Sequence, residues 1–323
     1  MYKSPTKRSL LSFFQTEVGR KVVLVGATGT ALGLFCVNFI PHTIGLGYYR
    51  DFMQCYKNGI ERPVPEQVER RLQIAYDQLE VHAYERKIIK PFTVVGFDLF
   101  QAGSTKYRFG GLLGIPVNYD YSSVDDIDRK NIRFRDQKLN WNSESGQLLQ
   151  HAVVLSEDEQ IFGLCKCILQ LQTHRLLWNA IFPTANFLMI YAVGIFLNSR
   201  LNLHAGPLSL RLVLYSILSL FGIGCWSFMK DYTQVLYDSR IDKKLSSMGP
   251  RFVEAGISFY DKQLQKNMAL RALLKDDTYT AKGNVNYLLR QKSLPLTIRK
   301  SFFEEKWKEI QKSTEEPETE FVS

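Results

Sequence analysis

The sequence predicts a mainly α membrane protein. It has three transmembrane helices, one N-terminal and then a helical hairpin, with a small α+β soluble segment between them and a helical C-terminal segment after them. Three observations carry this reading. Residues 176–197 run 22 positions, and residues 212–229 run 18, without one Asp, Glu, Lys or Arg. A helix needs about 20 apolar residues to cross a hydrocarbon core about 30 Å thick. Core helices of soluble proteins seldom go so far without a charge. Residues 22–40 are a third such stretch, 19 uncharged positions ending at Pro41. A mean hydropathy of -0.15 is low for a chain of many spans, so most of the remainder is expected to be water-soluble.

In chain order, residues 1–21 form a basic leader. Lys3, Lys7, Arg8, Arg20 and Lys21 are offset only by Glu17, and Leu10, Leu11, Phe13 and Phe14 give it an apolar side. A basic, acid-poor leader fits a mitochondrial targeting region, and it also fits the basic flank of a signal-anchor in another membrane. The span 22–40 carries Gly26, Gly29 and Gly33. Gly29 and Gly33 make a G-x-x-x-G pair, which lets another helix approach closely. The same stretch is similar to the strand-turn-helix start of a short-chain dehydrogenase, whose glycines seat a pyrophosphate on a helix N-terminus. Here the spacing is G-x-x-G-x-x-x-G, and Pro41 follows within eight residues of Gly33.

Residues 43–175 form the α+β segment, with 17 basic and 17 acidic residues. Pro65-Glu66 opens a helix to about His82, with Val68, Leu72, Ala75 and Leu79 on one face. Residues 92–100 read as a strand, 107–121 as short strands with turns at Gly110-Gly111 and Gly114-Ile115-Pro116, and 131–141 as a weak strand. Ser156 to Glu159 is a capping box, and the helix it starts is expected to continue into the second span.

That second span is 176–197, the hairpin turn 198–211 and the third span 212–229. The turn contains Gly206-Pro207, which breaks a helix and is expected to set the geometry that lets the two spans pack side by side, with Gly206 free to take any φ > 0 conformation needed there. Arg175, Arg200, Arg211 and Lys230 bracket the spans, where their heads can reach lipid headgroups. Residues 230–313 form the helical C-terminal segment, broken at Gly249-Pro250. Its long helix, 251–274, carries an apolar face including Phe259, Tyr260 and Leu264, expected to pack on segment 43–175 or on a partner. Residues 314–323 form an acidic tail without structural signals.

Several segments match the transmembrane protein 177 family in order along the chain. In the turn these are Leu203-His204-Ala205-Gly206-Pro207-Leu208-Ser209-Leu210-Arg211. In the helix beyond they are Gly256-Ile257-Ser258-Phe259-Tyr260-Asp261-Lys262, Leu264, Asn267 and Ala269 to Leu274. Lys90-Pro91-Phe92, Gly114-Ile115-Pro116, Gly283-Asn284 and Leu294 to Arg299 complete the match. The chain resembles that family from the first span to about Arg299. The resemblance implies a mitochondrial inner-membrane protein without catalysis, linked to biogenesis of cytochrome c oxidase subunit II. The partners it implies are that subunit and the subunit's dedicated chaperone.

The residues themselves offer no catalytic constellation and imply no cofactor. His42, His82, His151, His174 and His204 are scattered, none at metal-ligand spacing. His204 is expected to bond turn backbone or face headgroups. Cys165-Lys166-Cys167 is the sharpest chemical pair, since thiolates select Cu(I). On a helix, however, residues two apart point about 200° from each other. Cys36, Cys55, Cys165, Cys167 and Cys225 form no secreted disulfide framework. A net charge of +9 without a basic patch carrying interleaved aromatics argues against nucleic acid as a partner. Within the second span, Asn179, Pro183 and Asn186 are candidates for helix packing, inside this protein or against a partner's span. The leading reading is a non-enzymatic assembly factor in the lipid bilayer. A membrane-anchored nucleotide-dependent oxidoreductase using Gly26, Gly29 and Gly33, or a copper-handling protein using Cys165 and Cys167, are the alternatives.

Charge alone does not fix topology, because seven flanking Lys and Arg on one side face eight on the other. The first helix usually dominates orientation, and long segments translocate largely regardless of charge. The N-terminus and turn are therefore expected in the matrix, with 43–175 and the chain from Lys230 in the intermembrane space.

Overall fold

The computed structural model describes residues 16–57, 59–130, 132–134, 137–287 and 289–315. Residues 1–15 of the basic leader and 316–323 of the acidic tail lie outside the described residues. In chain order the helices are α1 (Glu17–Phe39), α2 (Leu46–Met53), α3 (Glu66–Gln78), α4 (Ala83–Ile88), α5 (Glu144–Val153), α6 (Glu157–Leu171), α7 (Arg175–Arg200), α8 (Leu208–Ser246), α9 (Pro250–Leu274) and α10 (Leu296–Glu315). The strands are β1 (Tyr56–Lys57), β2 (Ile60–Glu61), β3 (Ile89–Val94), β4 (Phe100–Ser104), β5 (Gly110–Pro116), β6 (Arg133–Phe134) and β7 (Gln137–Lys138). The chain divides into a membrane unit, Met1–Pro41 with Arg175–Lys230, and an α+β unit, His42–His174 with Asp231–Ser323.

Helices α1, α7 and α8 are each long and apolar enough to cross a membrane. Helix α1 begins five residues before its uncharged stretch. The Thr16 hydroxyl caps it by accepting from the Gly19 amide at 3.0 Å, and Glu17 pairs with Lys21 one turn on. Its polar side chains turn back onto its own backbone: Thr28 donates to Leu24 O, Thr30 to Gly26 O and Asn38 to Leu34 O. That is what a lipid surround demands, since no water is there to satisfy them. Helix α6 does not run into α7. It stops at Leu171, and Gln172, Thr173 and His174 form a turn before Arg175.

In the α+β unit a three-stranded sheet has the order β3-β5-β4, with β3 parallel and β4 antiparallel to β5. The central strand is buried at every position. Gly110-Gly111 and Gly114-Ile115-Pro116, expected as turns, lie inside it. The reason is close approach: a Cβ on Gly114 would stand 2.4 Å from Val94 Cγ1 and 2.8 Å from Phe100 Cβ. Here glycine is a packing device rather than a breaker. The strand expected over 92–100 ends at Val94, and β4 begins only at Phe100. The weak strand over 131–141 is reduced to the two-residue pair β6–β7.

Helix α3 starts after Pro65 and buries Val68, Leu72 and Ala75. It ends at Gln78, short of His82, and Glu80 takes a left-handed conformation just beyond. Helix α6 carries the capping box: the Ser156 amide donates to Glu159 Oε2 at 2.6 Å, and the Glu159 amide donates to Ser156 Oγ at 3.3 Å. Helix α9 packs against α5, α6 and α10, and α3 packs on α6. At their centre Phe162, Phe259, Tyr260 and Phe303 meet with ring centroids 5.4 to 5.8 Å apart.

Replacing Gly114 with Val should lower the stability of the α+β unit by about 3 kcal/mol through overpacking. Thermal unfolding of the detergent-solubilised chain measures this, and an unchanged midpoint would refute the close-packing account of β5.

Candidate functional site

The membrane unit is held by contacts that short side chains permit. Ala27 and Ala31 are the apolar residues that α1 buries, and α1 and α7 approach closely. The Thr184 hydroxyl of α7 lies 2.9 Å from Ala180 O and 3.4 Å from Ala31 O. Gly26, Gly29 and Gly33 do not form this contact. A Cβ on any of them would meet nothing within 4 Å, so the G-x-x-x-G face of α1 is open. Nor does the stretch form a strand and a phosphate-cradling turn. All three glycines lie within one uninterrupted helix, which removes the geometry of the nucleotide reading.

The hairpin is tied along one seam. Asn186 Nδ2 donates to the Gly222 carbonyl at 2.9 Å, from α7 to α8. A side chain on Gly222 would come within 2.9 Å of Ile190 Cγ1 and 3.2 Å of Asn186 Nδ2, so the bond needs glycine there. One and two turns further along α7, Ile190 and Gly194 continue the seam, and Asn198 ends it by donating to Tyr215 OH. Pro183 is buried within α7 and Asn179 is half-buried. Asn198, Tyr215 and Gly222 were not singled out from the sequence. The spacing gave no clear signal, because twelve residues are about 3.3 turns of a straight helix and do not place Asn186 and Asn198 on one face.

In the turn, Gly206 does not take a left-handed conformation. Asn202, at φ 47°, is the left-handed residue. A Cβ on Gly206 would meet only ordinary contacts at 3.6 and 3.7 Å. Asparagine tolerates that region because its short polar side chain bonds locally. Pro207 stands immediately before α8. His204 Nδ1 lies 3.4 Å from Arg211 Nη1.

The α+β unit contains a buried ion cluster. Arg299 of α10 grips Asp242 of α8 with Nε at 2.7 Å and Nη2 at 2.6 Å, and lies 3.6 Å from Asp238. Tyr260 of α9 donates its hydroxyl to Asp242 Oδ1 at 2.8 Å, and the guanidinium stands 4.9 Å over the Tyr260 ring. Asp238 also accepts from the Leu294 amide at 3.2 Å. Burial opposes the Arg299 charge, but Tyr260, Asp242 and Asp238 outweigh it and raise its pKa. Burial, then the nearby Asp242 and Asp238, hold the Tyr260 hydroxyl protonated far above the usual range. Lys166 of α6 stands 5.5 Å from the Phe259 and Tyr260 ring centroids. Burial, and then the positive Arg299, pull its pKa down to about 8. Two carboxylates and two cations thus nearly cancel at neutral pH. The cluster fastens three helices. Leu264 is buried on the same α9, and the Asn267 side chain donates to Gly283 O at 2.8 Å. The motifs at 256–274, 283–284 and 294–299 therefore converge on one core.

Cys165 and Cys167 sit on opposite sides of α6. The first points at Ala75 O of α3, the second at Phe100 O and Gln101 Oε1 of β4. Burial pushes both thiols up to about 12. A shared two-thiolate copper site is not available from this geometry. Among the described residues, no group of three or more His, Cys, Asp or Glu side chains could hold a metal ion.

Three apolar helices, a polar-tied hairpin and a separately packed α+β unit define a mainly α membrane protein that crosses the bilayer more than once. Curated relatives share this length. The chain is 27% identical to human transmembrane protein 177 over 288 residues, covering 87% of this chain and 91% of that one. It is 28% identical to the rat protein over the same shares, and 27% identical to the Xenopus laevis protein over 92% of this chain and 96% of that one. The chain is thus similar to transmembrane protein 177 along nearly its whole length. No family model matches it, and no solved structure does.

Replacing Arg299 with Met strands two buried carboxylates and should cost about 3–5 kcal/mol of stability. Adding Asp242→Asn should recover part of that loss, and strictly additive losses in thermal unfolding would argue against a coupled cluster. Lys166 has the opposite sign. Its folded pKa lies below its unfolded one, so stability rises with pH from about 8 toward the ordinary lysine range, and the penalty is fully present below 8. Lys166→Met should therefore raise the unfolding midpoint at pH 7. The gain over the parent should shrink as pH climbs from 8 to 10, and a gain independent of pH would refute the assignment.

Proposed function

We propose that the chain is a non-enzymatic assembly factor of the mitochondrial inner membrane. It binds and stabilises newly made subunit II of cytochrome c oxidase, the chaperone dedicated to that subunit, or both. The observation that carries this reading is the likeness to transmembrane protein 177 along about nine-tenths of the chain, since the resemblance implies that pathway. Two features support it. The Gly29 and Gly33 face of α1 is open, and small residues let a partner span approach closely. The polar side chains of α7 and α8 are used largely in holding the hairpin itself, which leaves a scaffold rather than a reaction chamber.

In this reading the N-terminus and the hairpin turn face the matrix, and both parts of the α+β unit face the intermembrane space. The basic flank Arg20-Lys21 before the first span supports that orientation.

One experiment on a C-terminally tagged chain tests both parts. Protease added to mitoplasts should remove the tag, and the tagged chain purified from intact mitochondria in mild detergent should carry subunit II or its chaperone. A tag cut only after detergent opens the inner membrane would reverse the orientation. Purification without either partner would overturn the function.

A further inference from the structure

Six residues, 40–45, separate the end of α1 from the start of helix α2. One of its faces is packed. Leu46 is buried, and Tyr49 and Met53 lie against Phe92, Val94, Ala102 and Leu112 of the sheet. The other face is bare. Tyr48 and Phe52, one turn apart on it, are 82% and 86% exposed, and Ile44 in the turn just before the helix is 71% exposed. Because the inner face is fixed to the sheet, these three side chains cannot fold inward. Val95, 66% exposed, extends the patch beside the end of α2, where its amide donates to Met53 O at 3.3 Å.

We propose that this face of α2, with Ile44 of the turn before it, is a membrane-surface anchor, with Ile44, Tyr48 and Phe52 seated in the headgroup region of the bilayer that α1 crosses. Connection to the span selects lipid as the occupant. Six residues reach at most about 20–25 Å when fully extended. The patch therefore never leaves the neighbourhood of the interface, and its local concentration at the lipid is high. The composition agrees, because Tyr and Phe favour the boundary where one end of the ring is apolar and the other wet. The electrostatics make it a general lipid surface rather than an anionic one. Arg50, the cation on α2, is already paired with Glu61 at 2.9 Å, and Asp51 stands next to it. Short helices laid in the interface with an apolar face down are an established way of holding a domain at a membrane. The inference depends on α1 spanning the bilayer and not on which side α2 emerges.

Site-specific photocrosslinking of the full chain tests it. p-Benzoylphenylalanine is placed at position 48, 52 or 84, and each protein is reconstituted in phosphatidylcholine vesicles and irradiated. Tyr84, 60% exposed on α4, is the control. The expected result is adducts of lipid mass at 48 and 52 and none at 84. No lipid adduct at 48 and 52, equal adducts at 84, or crosslinks from 48 and 52 to a second copy of the chain would each overturn the proposal. The same proteins irradiated in cell membranes separate the remaining occupant: lipid adducts support the anchor, and crosslinks to another protein instead overturn it.

Discussion

The α+β unit depends on keeping the Arg299 charge satisfied away from water. A desolvated guanidinium is tolerable only when its donors are matched in direction as well as in charge, and Asp242 supplies a two-point grip. Asp238, one turn away on the same helix, adds a second carboxylate and holds the backbone at Leu294. Tyr260 covers the pair with its ring and spends its hydroxyl on the same carboxylate. A helix from late in the chain is thereby fixed to α8 and α9 by directional contacts. Apolar packing of Phe162, Phe259 and Phe303 encloses these contacts but could not by itself choose one register.

The membrane unit solves a different problem. Its helices gain little from hiding apolar surface, since lipid is as apolar as leucine. Association has to come from close fit and from polar groups with no better partner. Ala27, Ala31 and Gly222 allow the fit, and Asn186 and Asn198 supply the polar ties. The same logic separates the two small-residue faces of α1. The alanines are used within the chain, and the glycines are not.

Features written as long uniform runs were legible in the sequence. The three apolar stretches, the Ser156 capping box and the helix through Phe259, Tyr260 and Leu264 each rest on a local rule that tertiary context did not override. Features that depend on distant partners were not legible. Gly110, Gly111 and Gly114 looked like turns because nothing nearby announced the side chains of Val94 and Phe100 that crowd them. Gly206 drew attention as a turn residue while Asn202, of a type less strongly tied to turns, takes the left-handed position. Arg299 lies more than fifty residues beyond Asp238 and Asp242, and no local pattern reveals that the three share one cluster of charge. Gly29 and Gly33 fitted a helix-packing motif and, only imperfectly, a dinucleotide-binding turn, and the continuity of the helix excludes the second.

The two thiols of α6 have a chemical consequence for the compartment in which the unit resides. Disulfide exchange and metal capture both proceed through the thiolate. With a pKa near 12, on the order of one such thiol in 100,000 is ionised at pH 7. These two sulfurs of the folded α+β unit are therefore poor partners for either reaction, unlike the half-buried Cys55 of the same unit. In the folded unit neither sulfur is offered to an oxidising relay. An unfolded chain loses that protection at both positions together, so oxidation at Cys165 and Cys167 marks molecules that have failed to fold.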